Sequence, residues 1–147
     1  MRGIYFDACC LNRPFDDQSQ PRIRLEAEAV LLILSQLTDE EYEWIGSEML
    51  DFEVDHNPDP ERRQRVRLVM TGIRRTVAMT PAVIERGEIL EALGFKSYDA
   101  LHIACAEEAA AEVLLTTDDR MLRLARRAPD ALRVRVANPV EWIRESE

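Results

Sequence analysis

Short apolar runs alternate with segments of helical period from one end of this chain to the other, and that alternation limits the folds open to it. "GIYF" (3–6), "YEWIGS" (42–47), "TVAM" (76–79), "EVLLTT" (112–117) and "LRVRV" (132–136) read as strands. Between them lie helical patterns over 22–37, 48–56, 59–73, 81–93, 98–111 and 119–127, with a short helix from "NPVEWIRES" at the end. Strands separated by helices call for a mostly parallel sheet with helices on both faces. In such sheets ligands bind outside the carboxyl ends of the strands, where loops lead into helices.

Local punctuation agrees. Pro60 and Pro81 suit first helical turns, Gly94 a helix stop, and Ser97 a helix cap. Segment 22–37 aligns Ile23, Ala27, Val30, Leu34 and Leu37 on one face, yet its middle is apolar nearly all round. A helix of that kind is expected to meet a partner as well as the sheet.

Composition excludes several classes of function. The net charge of −9 over 147 residues disfavours a protein that coats nucleic acid nonspecifically. Three cysteines, Cys9, Cys10 and Cys105, without C-x-x-C spacing form neither a disulfide framework nor a zinc site. Cys9 and Cys10 read as small apolar residues packing the turn after the first strand. The apolar run "VLLIL" (30–34) is too short to span a bilayer, and Asp7 interrupts the only apolar stretch near the N-terminus. No membrane association and a cytoplasmic location are expected.

Attention therefore turns to the acids at the expected carboxyl edge. Asp7 closes the first strand; Asp118 follows "VLLTT" and opens a helix, where it is equally a helix cap. In 48–56, Met49, Leu50, Phe52 and Val54 define an apolar arc at about 100° per residue, and Glu53 falls inside it. Glu48, Asp51 and Asp55 lie opposite. A carboxylate on a core-facing stripe is costly unless it is paired, protonated or metal-bound, so a buried arginine partner is the other reading of Glu53. In "YDALHIACAEEAAA", Glu107 and Glu108 mark the wet face, with Asp99 nearly opposite and His102 one turn on. Asp99 also suits a first helical turn, and His102 suits a satisfied core histidine. Carboxylates gathered at one edge repel each other unless they share a cation, and hard divalent ions such as Mg²⁺ or Mn²⁺ want oxygen ligands. Ions held this way orient a phosphodiester and activate water. Asp7, Glu53, Asp99 and Asp118 are the candidate metal-binding and catalytic residues, with Asp119 either an outer ligand or a helix-start acid.

Four segments in order resemble the PIN-domain family, and in particular the ribonuclease toxins of VapBC-type toxin–antitoxin pairs. "IYFDACCL" resembles the family's D-T-N/S-x-L element and "SEMLDFE" its Ser-plus-Glu helix. "YDALHIACA" resembles the D-A-x-x-A helix, and "LLTTDDRML" the T-x-D element carrying Thr116 and Asp118. The resemblance spans about the first 125 residues. It implies a three-layer α/β/α sandwich with a mostly parallel four- to five-stranded sheet, as one domain over 1–147. It also implies metal-dependent RNA cleavage, a homodimer, and a small antitoxin lying across the active-site groove. Two departures stand out: Cys9 where relatives carry Asn or Ser, and Arg120 where many carry an acid. Asn12, Arg13, Thr116 and Arg120 are the candidate substrate contacts.

Arg62, Arg63, Arg65, Arg67, Arg74 and Arg75 form one basic group, and Arg120, Arg123, Arg126 and Arg127 another. They are read as phosphate contacts, as a solvated face paired with acids such as Glu61, or as a surface for an acidic partner. The rival reading of the whole chain is a non-catalytic interaction domain with a degraded metal site. A nucleotide-binding phosphotransferase is disfavoured, since neither G-x-x-x-x-G-K-[ST] nor G-x-G-x-x-G occurs.

Overall fold

All five strands of the sheet run parallel, in the order β3-β2-β1-β4-β5. They are β1 (Arg2–Phe6), β2 (Tyr42–Ser47), β3 (Arg75–Val77), β4 (Val113–Leu115) and β5 (Arg135–Ala137). The computed structural model describes residues 1–37 and 40–146. The helices are α1 (Ala8–Asn12), α2 (Pro21–Gln36), α3 (Glu48–Asp55), α4 (Pro60–Val69), α5 (Pro81–Ala92), α6 (Ser97–Glu108), α7 (Asp119–Arg127) and α8 (Pro139–Ser146).

Alternation along each strand distributes side chains between two apolar layers. Ile4 and Phe6 of β1 join Trp44, Val113 and Leu115 in a core closed by Leu11, Val30, Ile33, Leu50, Val66 and Trp142. Tyr5 points the other way, with Ile45 and Leu114, into a core closed by Val83, Leu90, Ala100, Ile103 and Met121. Helices thus cover both faces of one sheet, a three-layer α/β/α sandwich.

The strand order decides where a site can form. From β1 the chain moves outward to β2 and β3, then returns to pair β4 on the other side of β1 and continues to β5. The carboxyl ends of β1 and β4 are therefore the topological switch point, where loops diverge and leave a crevice. Asp7 N–H donates to Leu115 O across this point, 3.2 Å away.

Several local expectations are corrected. The residues after β1 form the helix α1, capped by Asp7, rather than a turn. Lys96 stands at the cap position of α6, with no side-chain cap bond, and Ser97 is already helical. The 59–73 segment leaves the α-helix at Val69 and ends in a 3₁₀ turn over Met70–Gly72. Gly94 does stop its helix, at φ +113°: its N–H reaches Glu91 O at 2.9 Å, and Phe95 N–H reaches Leu90 O at 3.4 Å. Those two bonds make a Schellman motif, and the buried Phe95 supplies its apolar contact. Helix α2 buries Ala27, Val30 and Ile33, and Leu37 at its C-cap is buried too, but Leu25, Leu31 and Leu32 are exposed. Among the described residues, no helix is long and apolar enough to cross a membrane.

Candidate active site

Two of the acids are helix caps at the ends of neighbouring strands. Asp7 Oδ1 accepts from Cys10 N–H at 3.1 Å and starts α1. Asp118 Oδ1 accepts from Arg120 N–H at 2.9 Å and Met121 N–H at 3.2 Å and starts α7. The cap reading of Asp118 is therefore correct, and it applies to Asp7 as well. Capping occupies one oxygen of each carboxylate, so it does not exhaust either as a ligand.

A polar bridge joins the two strand ends. Cys9 Sγ donates to Asp7 Oδ1 at 2.9 Å and lies 3.4 Å from Thr116 Oγ1. Thr116 Oγ1 accepts from Asp118 N–H at 3.1 Å. Thr116 and Asp7 are buried, whereas Cys9 is half-buried. Apolar packing describes Cys10, which is buried, but not Cys9, whose half-buried thiol makes these polar contacts. Burial, and after it the neighbouring Cys9, pushes the Asp7 carboxyl well above its ordinary value.

Glu53 and Asp99 enter from α3 and α6. Ser47 caps α3 by accepting from Leu50 N–H at 2.9 Å, so β2 runs directly into the helix that carries Glu53. The Glu53 side chain is 26% exposed, and His102 meets it: Nε2 lies 3.1 Å from Glu53 Oε1. His102 Nδ1 lies 2.6 Å from the Tyr5 hydroxyl, which lies 2.7 Å from Ser47 Oγ. A neutral imidazole satisfies every bond with one arrangement. Ser47 donates to Tyr5, Tyr5 donates to Nδ1, and Nε2–H donates to Glu53. Glu53 is thus partnered by a histidine and not by the buried arginine considered from sequence. Phe52, assigned to the apolar arc, is 44% exposed.

Asp99 is half-buried, and its Oδ2 is a buried oxygen with no hydrogen-bond partner among the described residues. Its carboxyl is pushed up to about 6, by burial first and then by the charge of Asp118, with Cys9 and Glu53 adding and His102 opposing. That electrostatic crowding ties Asp99 to Asp118 and Glu53, while Cys9 and Thr116 join Asp7 to the Asp118 loop. Acids from four separated segments therefore lie near the switch point.

Other sequence candidates point elsewhere. Asp119 is exposed and holds the Arg22 guanidinium by two bonds, at 2.8 and 2.5 Å. Arg13 is bound to Glu26 at 2.9 Å and Asp16 at 3.1 Å. Asn12 Nδ2 donates to Ala8 O at 2.8 Å, and Arg120 donates to Gly94 O at 2.9 Å. Arg62 pairs with Asp16, Arg65 with Glu61, and Arg67 with Asp51 and Asp55. For those three arginines the reading as charges paired with acids holds. The residue missed from sequence is Tyr5, whose hydroxyl meets His102 across 97 positions and Ser47 across 42.

Whether such a site suits a metal depends on its donors. Among the described residues, no three His, Cys, Asp or Glu side chains converge tightly enough to chelate an ion as they stand. Mg²⁺ is usually held through one or two carboxylates and retains several waters, so a tight protein cage is not required. The donors are carboxylate oxygens, Asp99 Oδ2 lacks a partner, and the raised carboxyls of Asp7 and Asp99 mark charge that a cation relieves. On those grounds the set fits a hard divalent cation.

The PIN-domain family model matches residues 4–127, and the chain belongs to that family. Similar solved structures include FitAcB from Neisseria gonorrhoeae, at 16% identity and a TM-score of 0.61, covering 92% of this chain and 97% of that one. VapBC2 from Rickettsia felis bound to a DNA fragment from their promoter matches at 14% identity and a TM-score of 0.58, covering 92% and 98%. VapBC-1 from nontypeable Haemophilus influenzae matches at 14% identity and a TM-score of 0.60, covering 93% and 98%. These likenesses establish the fold. No match to a curated protein sequence was found.

Proposed function

We propose that this chain is a divalent-metal-dependent endoribonuclease and the toxin of a toxin–antitoxin pair, acting on RNA in the cytoplasm. One observation carries the reading. Acids from four separated segments lie near the switch point of a PIN fold, and one of them, Asp99, has a buried, unpartnered oxygen. RNA as substrate rests on the resemblance to VapBC-type toxins.

Asp7, Glu53, Asp99 and Asp118 would hold Mg²⁺ or Mn²⁺, which when bound supplies hydroxide near neutral pH and stabilises a leaving oxygen. The chain's own residues do the positioning. Cys9 and Thr116 tie Asp7 to the loop of Asp118, and His102 orients Glu53 from below. Asp7 and Asp118 are fixed further because each caps its own helix.

Partner binding is part of the same proposal. Leu25, Leu31 and Leu32 on α2, Ile84 and Ile89 on α5, and Leu93 at the α5 C-cap are exposed apolar side chains. They supply surface for a second copy and for a small antitoxin.

The rival reading is a non-catalytic PIN domain, favoured by the lack of a ready-made chelate. Mn²⁺ titration followed by thermal denaturation separates the two. The nuclease is expected to bind the ion, gain thermal stability and cleave cellular RNA, and Asp7→Asn is expected to abolish cleavage while the chain stays folded. Cleavage by Asp7→Asn at the wild-type rate, or no Mn²⁺ response in the wild type, defeats the nuclease assignment.

A further inference from the structure

Three exposed rings stand at the rim of the acidic site. Phe52 precedes Glu53 on α3, and Tyr98 precedes Asp99 on α6. Their rings meet edge to face, 6.1 Å between centroids at 89°, bridging the two helices that carry those acids. His56, one turn on from Phe52, lies against it with centroids 4.0 Å apart, and its Nδ1 is within 2.7 Å of Phe52 O. Tyr98 is 47% exposed and Phe52 44%, the largest apolar surface on either helix beside the acids. Neither ring fills the core, and neither the Tyr98 hydroxyl nor His56 Nε2 has a partner among the described residues.

The charges nearby sharpen the question of what those rings hold. A nucleic-acid strand reaching the acids meets a chain of net charge −9. Of the α4 arginines that would draw in phosphates, Arg62, Arg65 and Arg67 are already paired with Asp16, Glu61, Asp51 and Asp55, and Arg63 donates to Asn57 O. Counterion release from Arg62, Arg65 and Arg67 is correspondingly weakened. Stacking is the other source of affinity, because every unpaired base has a π-face and aromatic side chains receive it without regard to sequence.

Resting on the nuclease reading, we propose that the Tyr98–Phe52–His56 cluster seats an unpaired nucleobase beside the phosphate presented to the acids. A base stacked there holds its neighbouring phosphodiester at Glu53 and Asp99, the two acids adjoining the rings in sequence. Duplex RNA has no free base to offer and gains nothing from the cluster.

The test measures binding of labelled polyuridylate and of a fully paired RNA duplex to the whole chain, with Ca²⁺ in place of Mg²⁺ to suppress cleavage. Tyr98→Ala is expected to weaken polyuridylate binding by roughly tenfold, within the range for loss of one stacked base. Tyr98→Phe and Tyr98→Trp retain the affinity, and duplex binding is unchanged in all three. Mn²⁺ affinity and melting temperature stay at wild-type values, since the side chain is exposed. The deficit of Tyr98→Ala persists at high salt, as a stacking contact must. Equal polyuridylate affinity for wild type and Tyr98→Ala overturns the proposal and leaves the nuclease reading standing. An equal loss in Tyr98→Phe, or a changed oligomeric state with RNA binding intact, also overturns it, the latter by marking the rings as a protein interface. Wild type that neither cleaves nor binds RNA overturns both readings together.

Discussion

His102 Nε2 lies 3.1 Å from Glu53 Oε1, while the same ring reaches the Tyr5 hydroxyl at 2.6 Å on its other side. A residue of the buried core thereby fixes a carboxylate at the site's edge. Groups that orient a metal-binding carboxylate usually change metal affinity or activity by about 10–100-fold when removed. His102→Leu is expected to show a loss of that order in both Mn²⁺ affinity and cleavage. It also removes one of the two partners of the buried Tyr5 hydroxyl, which keeps Ser47 Oγ, at about 1 kcal/mol of stability. The double variant Tyr5→Phe/His102→Leu removes that hydroxyl and is expected to recover part of the stability but none of the metal affinity. Calorimetric titration beside thermal denaturation separates the two effects, and recovery of both would show that His102 acts through folding alone.

Asp7 is held by its cap bond and penalised by its burial, and two substitutions pull those roles apart. Asn caps a helix about as well as Asp, whereas Ala gives up about 1 kcal/mol. Because burial already disfavours the charged carboxyl, Asp7→Asn is expected to be as stable as wild type at neutral pH or more so. Asp7→Ala is expected to fall below it. Both lose cleavage. Chemical denaturation of the three proteins gives the ranking, and an Asp7→Asn chain less stable than Asp7→Ala would refute this account of the site's cost.

Asp99 makes a pH dependence with a definite sign. Its carboxyl rises to about 6 in the folded chain, by burial first and then by the charge of Asp118, against an unfolded value near 4. A raised acid binds its proton more tightly when folded, so its contribution to stability is complete below about 4 and is lost as pH rises through 6. Without metal, the stability of wild type relative to Asp99→Asn is expected to decline from pH 4 to pH 7. With Mn²⁺ the ion competes for the ionised form, so the stabilisation it confers on wild type grows over the same range. Melting curves of the two proteins across pH, with and without the ion, test both slopes; a flat difference in the absence of metal would rule out this assignment.

The alternation of strands and helices was legible because each element carries its own period and its own stop, as Gly94 does for α5. The acids were legible because each follows a strand or stands against its helix's apolar stripe. What stayed hidden is non-local. Tyr5, Ser47 and His102 look like ordinary core or cap residues until the sheet brings them together across 42 and 97 positions. The arginines looked available for phosphate because their partners, Asp16 for Arg62 and Asp51 for Arg67, come from other elements. Phe52 was misplaced because α3, eight residues long, buries Met49, Leu50 and Val54 and turns the remaining apolar ring outward. Helix α1 was missed because its cap was weighed only as a ligand, although an Asp that follows a strand can be both.

Cys9 gives the last test, since it bridges Asp7 and Thr116 and is half-buried while Cys10 and Cys105 are buried. Cys9→Ser keeps a donor where the thiol was, with shorter bonds. It is expected to fold normally and to cleave at least as fast as wild type. Cys9→Val fills the volume without a donor, leaving Asp7 Oδ1 with its Cys10 bond alone, and is expected to lose activity by about tenfold, the lower end for losing a supporting partner. A thiol reagent applied to the folded wild type is expected to modify one cysteine per chain and to stop cleavage, whereas Cys9→Ser is resistant. Mass spectrometry of the modified chain locates the adduct. Labelling at Cys10 or Cys105 instead, or full activity after modification of Cys9, would place the thiol outside the working site.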